Sequence, residues 1–258
     1  MSKMIAVIAV VVVAVIVAAA VGYYVLQGED EQTELTVSFN GSEYTYDEML
    51  EEFGTMTVDD TEGISLSAIV NDTGVENPET KTFVLKADDY AMAVNWTLLQ
   101  SGILTLVEDV DEDSGNETAY LMTLFPGMPG AYKVKYLTDI ETAELSPIVC
   151  NGLEFYLDYM PRKVNEKTVT YNDTYSPTGW SLSDIVNYTD LADPETHNYT
   201  IVGYDAADEE PWYNKTVTWD GMLGGVLVEE DVRTAFDEST EFARSGYRVR
   251  NVIEIIVE

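Results

Sequence analysis

The chain has 258 residues, 46% of them hydrophobic and 11% aromatic, and its 47 acidic against 13 basic residues give a formal charge of −34. That balance repels nucleic acid and anionic lipid headgroups and argues against both as partners. The apolar and tyrosine content excludes a disordered chain, and a single cysteine, Cys150, excludes an intrachain disulfide and leaves stability to the core.

Met4 to Leu26 is an unbroken apolar run rich in Val and Ala. It is long enough to span a bilayer as a helix, which takes roughly 20 residues. Only Lys3 precedes it and the acidic "GEDEQTE" follows, so the charge bias puts the start in the cytoplasm and the rest of the chain outside. A cleaved signal sequence is the competing reading, since small residues stand at Ala18 to Ala20. The run continues through Leu26, beyond an ordinary signal core, which favours a retained anchor over residues 1–27. A pilin-like assembly helix is a third option, without the basic-Gly processing site that would precede it.

After the acidic linker, "ELTVSF" alternates as a half-buried strand does. In "SLSAIVNDTG" the residues Leu66, Ile69 and Val70 have the spacing of one helix face, with Ser67 as the expected N-cap and Gly74 as the stop. "KTFVLKA" reads as a strand and "FPGMPG" as a turn leading into a closing strand, "AYKVKYLTDIE". Between them "DVDEDSGNE" places Asp109, Asp111 and Asp113 at positions one, three and five of a calcium-loop pattern. The Gly comes one place late, and Tyr120 stands where a bidentate Glu is required, so a solvated loop tip competes with a calcium site.

The second half repeats the first. "GWSLSDIVNYTDLADPET" (179–196) matches "GISLSAIVNDTGVENPET" (63–80) at eleven of eighteen positions. "CNGLEFYLDYM" matches "FNGSEYTYDEM", "VTWDGMLGGVL" matches "VNWTLLQSGIL", and "GYRVRNVIEII" resembles "AYKVKYLTDIE". Four blocks in one order imply two homologous α+β domains, strands in the majority, over 28–144 and 145–258. Each unit of roughly 110 residues has the size of an ordinary domain and is too long for a solenoid repeat.

Eight N-x-[ST] sequons occur, at Asn40, Asn71, Asn95, Asn116, Asn172, Asn187, Asn198 and Asn214. Behind an outward-facing anchor they suggest a glycosylated surface protein, although an Asn- and Thr-rich β protein generates such triplets by composition. His197 is the only histidine, which leaves no partner imidazole for a metal site and no context for a Ser-His-Asp triad. In "EEPWYNKT", Trp212 and Tyr213 either stack on a sugar or pack under a loop.

The helix entries "TGWSLSDIVNYTDL" and "EGISLSAIVNDTGV", the following "KADDYAMAV", and "YLMTLFPGMPGAYKVKYLTDIE" resemble the molybdopterin-binding domain of the sulfite oxidase family. The resemblance covers most of the first unit and about two-thirds of the second. It implies that fold, a thiolate ligand to molybdenum about a dozen residues before the Leu-rich helix, and a basic pocket for phosphate and an oxyanion substrate. The chain departs from all but the fold. "TMTVDD" and "TVTYND" stand where the thiol is expected, and Cys150 replaces Phe39 in an opening strand, as a buried structural thiol would. Lys133 with Lys135, and Arg248 with Arg250, alternate along the closing strands amid acid, without the converging donors a phosphate needs.

The reading that follows is a membrane-anchored, extracytoplasmic protein of archaeal type, serving binding or cell-envelope structure through two non-catalytic, sulfite-oxidase-like domains. No molybdopterin is expected, calcium is the one candidate ion, and self-association or contact with other envelope proteins supplies the partners. The alternative is a divergent molybdopterin-dependent oxidoreductase.

Overall fold

The computed structural model describes residues 35–110, 117–172, 174–203 and 213–258. The anchor run therefore lies outside the described residues, and among those described no helix is long and apolar enough to cross a membrane. Thr36–Glu258 form one compact unit.

The first half opens with a hairpin, β1 (Thr36–Phe39) and β2 (Ser42–Thr45), joined at Asn40 and Gly41. Both turn residues have positive φ, 46° and 85°, the geometry that favours Asn-Gly. A helix α1 (Tyr46–Phe53) follows, then strands β3 (Met56–Val58) and β4 (Thr61–Ser65), helix α2 (Leu66–Asp72), strands β5 (Thr82–Ala87) and β6 (Tyr90–Asn95), and helix α3 (Trp96–Ser101). Strands β7 (Ile103–Val110), β8 (Glu117–Leu124) and β9 (Asp139–Ala143) complete it. The strands form two sheets, in the orders β2-β1-β9-β5-β6 and β3-β4-β7-β8. First and last strands meet in the middle of the larger sheet, where β1 runs parallel to β9 with Phe39 opposite Ile140.

The second half rebuilds this plan. Its strands are β10 (Ile148–Cys150), β11 (Leu153–Phe155), β12 (Glu166–Thr168), β13 (Thr178–Ser181), β14 (Asn198–Gly203), β15 (Tyr213–Thr218), β16 (Gly225–Val228), β17 (Arg233–Phe236) and β18 (Val252–Val257). They order as β11-β10-β18-β14-β15 and β12-β13-β16-β17, and β10 runs parallel to β18 with Cys150 opposite Ile255. Helices α4 (Leu182–Tyr188) and α5 (Trp219–Gly224) take the places of α2 and α3. The architecture is thus strand-rich α+β, and its sheet order occurs twice.

The eighteen-residue twin is explained by packing. Leu66, Ile69 and Val70 are fully buried, as are Leu182, Ile185 and Val186. Each helix is capped by the serine before its buried leucine: Ser65 accepts from the Ala68 N–H and Ser181 from the Asp184 N–H, both at 3.3 Å. The cap therefore falls two residues before the expected Ser67, whose hydroxyl instead lies 2.9 Å from that of Ser65. Register decides this, because burying Leu66 requires the extended residue to be Ser65. Pro78 and Pro194 start matching 3-10 turns, and the Thr80 and Thr196 hydroxyls close them on the carbonyls of Asn77 and Asp193 at 2.8 Å.

The repeated glycine is steric. A Cβ on Gly63 would stand 2.6 Å from the Leu104 carbonyl oxygen, and one on Gly179 would collide with the Leu227 carbonyl oxygen. Both obstacles are backbone of the neighbouring strand and cannot rotate away. We expect Gly179→Ala to lower unfolding free energy by about 1–3 kcal/mol in chemical denaturation, with Gly63→Ala acting in the same direction, whereas Gly246→Ala, where a Cβ meets nothing within 4 Å, stays close to wild type.

Candidate functional site: a cationic groove at the seam of the two halves

The halves differ where they meet. In the first, Thr45 caps α1 through a reciprocal box: its hydroxyl accepts from the Glu48 N–H at 3.2 Å, and the Glu48 carboxylate accepts from the Thr45 N–H at 3.3 Å. At the matching positions of the second half stand Tyr156 and, five residues on, Pro161 in place of Leu50. Tyrosine offers no cap, and proline removes an N–H and blocks the helix before it. Only a 3-10 turn, Leu157–Tyr159, forms. Tyr156 packs instead against Val84 and Ala93 of the first half.

Where α1 would have continued, the chain turns. The Val164 N–H donates to the Pro161 carbonyl at 2.8 Å, which puts Arg162 and Lys163 at the corners of the turn. The matched residues in the first half are Glu51 and Glu52, so the charge at this pair is inverted. Arg162 reaches across the seam: its guanidinium donates to the Asp89 carbonyl at 3.0 Å, pairs with the Asp89 carboxylate at 2.9 Å, and stands 4.6 Å from the Tyr90 ring centroid.

The other wall is the segment before β9. Closing strands expected from Ala131 and from Gly246 begin only at Asp139 and Val252, because a 3-10 turn and an irregular stretch precede each. Buried Thr123 fixes this stretch by donating to the Tyr132 carbonyl at 3.1 Å and accepting from the Val134 N–H at 3.0 Å. Val134 is fully buried, so Lys133 and Lys135 on either side of it point outward. Tyr136 follows with φ +58° and 54% of its surface exposed. A left-handed backbone is uncommon for a bulky residue and costs of order 1–3 kcal/mol, a strain that clusters at functional positions. Its ring stacks on Tyr120 with centroids 4.2 Å apart.

Together these elements line a groove of about 390 Å³. Four cations, Lys133, Lys135, Arg162 and Lys163, face it with the single carboxylate of Asp89. In a chain of charge −34 the groove thus carries a local +3. Among the described residues no carboxylate pairs with any of the three lysines. The sequence had Lys133 and Lys135 standing alone amid acid; the turn at Pro161 brings them two more cations.

The second half covers the counterpart of Lys133. Thr234 repeats the clasp, donating to the Tyr247 carbonyl at 2.8 Å and accepting from the Val249 N–H at 2.9 Å. Arg248 matches Lys133, and Asn251 matches Tyr136 with the same left-handed turn, φ +47°. The two-residue turn Asp59-Asp60 between β3 and β4 is replaced by a loop from Val169 to Pro177 between β12 and β13. The loop lays Tyr171 and Tyr175 against the Arg248 guanidinium at 5.2 and 5.4 Å, and the Tyr175 hydroxyl accepts from Arg233 at 2.9 Å.

Tyrosines also underlie the groove. Burial pushes the Tyr90 hydroxyl up to about 12 despite the nearby Arg162 charge, and burial raises Tyr132 and Tyr188 further. The Tyr132 and Tyr188 rings lie 6.1 Å apart and join the halves. The Tyr188 hydroxyl is buried with no hydrogen-bond partner among the described residues, so it bears a desolvation cost without return. Tyr188→Phe is expected to be neutral or to stabilise by up to about 1 kcal/mol, read as an unchanged or raised melting temperature.

The other sequence candidates do not converge. Asp109 is exposed on β7, whereas Asp111, Asp113 and Asn116 lie outside the described residues, as does Trp212. Among the described residues no three His, Cys, Asp or Glu side chains gather as metal ligands would. Asn40, Asn71, Asn172, Asn187, Asn198 and Asn214 are exposed, and Asn95 is half-buried. Three of these hold backbone: Asn95 caps α3 by accepting from the Leu98 N–H at 2.8 Å, Asn40 accepts from the Thr142 N–H at 3.0 Å, and Asn172 accepts from the Thr174 N–H at 3.0 Å. Asn71 and Asn187 occupy twin positions in the last turns of α2 and α4. His197 contacts the Glu258 carbonyl oxygen at 3.1 Å.

Cys150 is fully buried in β10, and burial pushes its thiol up to about 12. A raised thiol stays protonated at pH 8, so iodoacetamide is expected to label it only in denaturant; stoichiometric labelling of folded protein within minutes would contradict this placement. No family model matches the chain, and neither a curated protein nor a solved structure does.

Proposed function

We propose that the chain is an extracytoplasmic binding protein of the cell envelope, held by the apolar run Met4–Leu26, whose two α+β halves hold an anionic ligand in the groove at their seam. The halves are read as relatives of the sulfite oxidase molybdopterin-binding domain that keep a scaffold and not its redox chemistry. One observation carries the binding role: four of the chain's 13 basic residues converge with one carboxylate on a surface otherwise dominated by acid. Three of those cations have no carboxylate partner among the described residues, and a field of that sign in a cleft concentrates anions.

A molybdenum cofactor does not fit the residues present. The chain's one thiol is Cys150, enclosed in β10 with its proton held by burial. The segments where the resemblance implies the ligand, Thr55 to Asp60 in one half and Thr168 to Asp173 in the other, carry no thiol.

The test is calorimetric titration of the purified full chain in detergent with sulfate, phosphate and galacturonate, beside a Lys133→Glu/Lys135→Glu double variant. Anion binding that falls at least about tenfold on charge reversal is expected, since two ion contacts at about 0.5–1 kcal/mol each are lost and repulsion is added. Absence of binding, or equal binding by the variant, overturns the proposal. Molybdenum and pterin near one per chain in protein taken from its own membrane would overturn the non-redox reading.

A further inference from the structure

Resting on that reading, we infer that the groove selects a short acidic sugar, a uronate or sulfated pyranose, over a simple inorganic anion. The cations alone would serve any anion. What they do not explain is Tyr136, which is 54% exposed and holds a left-handed backbone, φ +58°, at the rim of the groove. Its twin, Asn251, makes the same turn with a residue that tolerates it. Strain has therefore been accepted at position 136 while a ring is presented beside Lys133 and Lys135. Tyr120 behind it fixes the ring by stacking at 4.2 Å, and Lys135 stands 5.9 Å from the Tyr120 centroid.

The second half supplies an internal precedent for what such a cation row accepts. There the loop between β12 and β13 brings two aromatic rings to Arg248, the counterpart of Lys133. The first half has only the tight turn Val58–Thr61 at that place and no loop to close the site. A ligand that fills it should offer both a flat apolar face and negative charge. A pyranose presents a C–H face that stacks on an aromatic ring, and its carboxylate or sulfate pairs with the lysines. Phosphate and sulfate ions lack the face, and neutral sugars lack the charge. The volume of about 390 Å³ falls in the usual range of small-ligand clefts, about 300–1,000 Å³. A long polyanion is disfavoured, because each further charge meets the −34 of the surrounding chain.

The experiment compares digalacturonate, maltose and inorganic phosphate on the full chain in detergent, with Tyr136→Asn and Lys133→Ala/Lys135→Ala. Asparagine is the residue that the second half carries at this turn, so the variant removes the ring while keeping the backbone; its melting temperature is expected to match or exceed that of the wild type. Digalacturonate is expected to bind at least about tenfold tighter than either maltose or phosphate. Tyr136→Asn should weaken digalacturonate about fivefold or more and leave phosphate unchanged, whereas the lysine variant weakens both anions. Equal affinity for phosphate and digalacturonate, or an unchanged digalacturonate affinity in Tyr136→Asn, overturns the sugar inference and leaves the anion groove standing. Failure of every anion to bind overturns both.

Discussion

Each half of this molecule is closed by a pairing between its own two ends. The first strand, β1 or β10, runs parallel to the last, β9 or β18, in the middle of a five-stranded sheet. A parallel pair cannot be made by a short turn and needs a long crossover, so everything between the ends, including the smaller sheet and the helices, becomes the covering of that pairing. The buried faces follow from it. Phe39, Phe83, Leu85 and Ile140 fill the core of the first large sheet, and Cys150, Tyr199, Ile201 and Ile255 fill the second. The arrangement also fixes where the chain before each last strand must pass, along the edge of the smaller sheet beside β8 or β17, where Thr123 or Thr234 holds it.

From that shared plan the groove arises through departures. A capped helix needs a hydroxyl or carboxylate at its start and free N–H groups after it; the second half has Tyr156 and Pro161 instead. The shortened element lets Tyr156 enter the first half's apolar surface and turns Arg162 and Lys163 toward Lys133 and Lys135. In the other direction, the loop between β12 and β13 lays tyrosine rings over Arg233 and over Arg248, the counterpart of Lys133. Lys133 and Lys135 stand open while Arg248 lies under tyrosine rings, and the difference is five inserted residues together with one proline.

Much of this was legible beforehand. The duplication, its order, the buried triad Leu66, Ile69 and Val70, and the strand-rich character follow from identities and alternation that burial enforces directly. The cap sits at Ser65, two residues before the expected Ser67, because the two serines are equally suited chemically and only the burial of Leu66 separates them. The closing strands are shorter than the alternation of "YKVKY" suggests, since that regularity reflects a single buried valine between two exposed lysines. The groove was out of reach because its walls are about 30 residues apart in sequence and belong to different repeats. A signal did exist: "MLEEF" becomes "MPRKV" between matched segments, an inversion of charge beside a helix-breaking residue. Nothing in the sequence marks Tyr136, whose distinction is its backbone.

The duplicated closure also bears on how the chain reaches its native state. When the ends of a unit must find each other across about 100 residues, productive contacts are non-local and form late. With two such units in one chain, β18 has nearly the same claim on β1 as β9 has, and β10 the same claim on β9, so exchange of closing strands between halves is a ready-made kinetic trap. The features that break the symmetry then act as address labels. Tyr156 fits a surface only the first half offers, and the tyrosine loop fits arginines only the second half carries. The same residues that open one site and close the other would make the exchanged arrangement a poor fit, and thereby help each end recognise its own beginning.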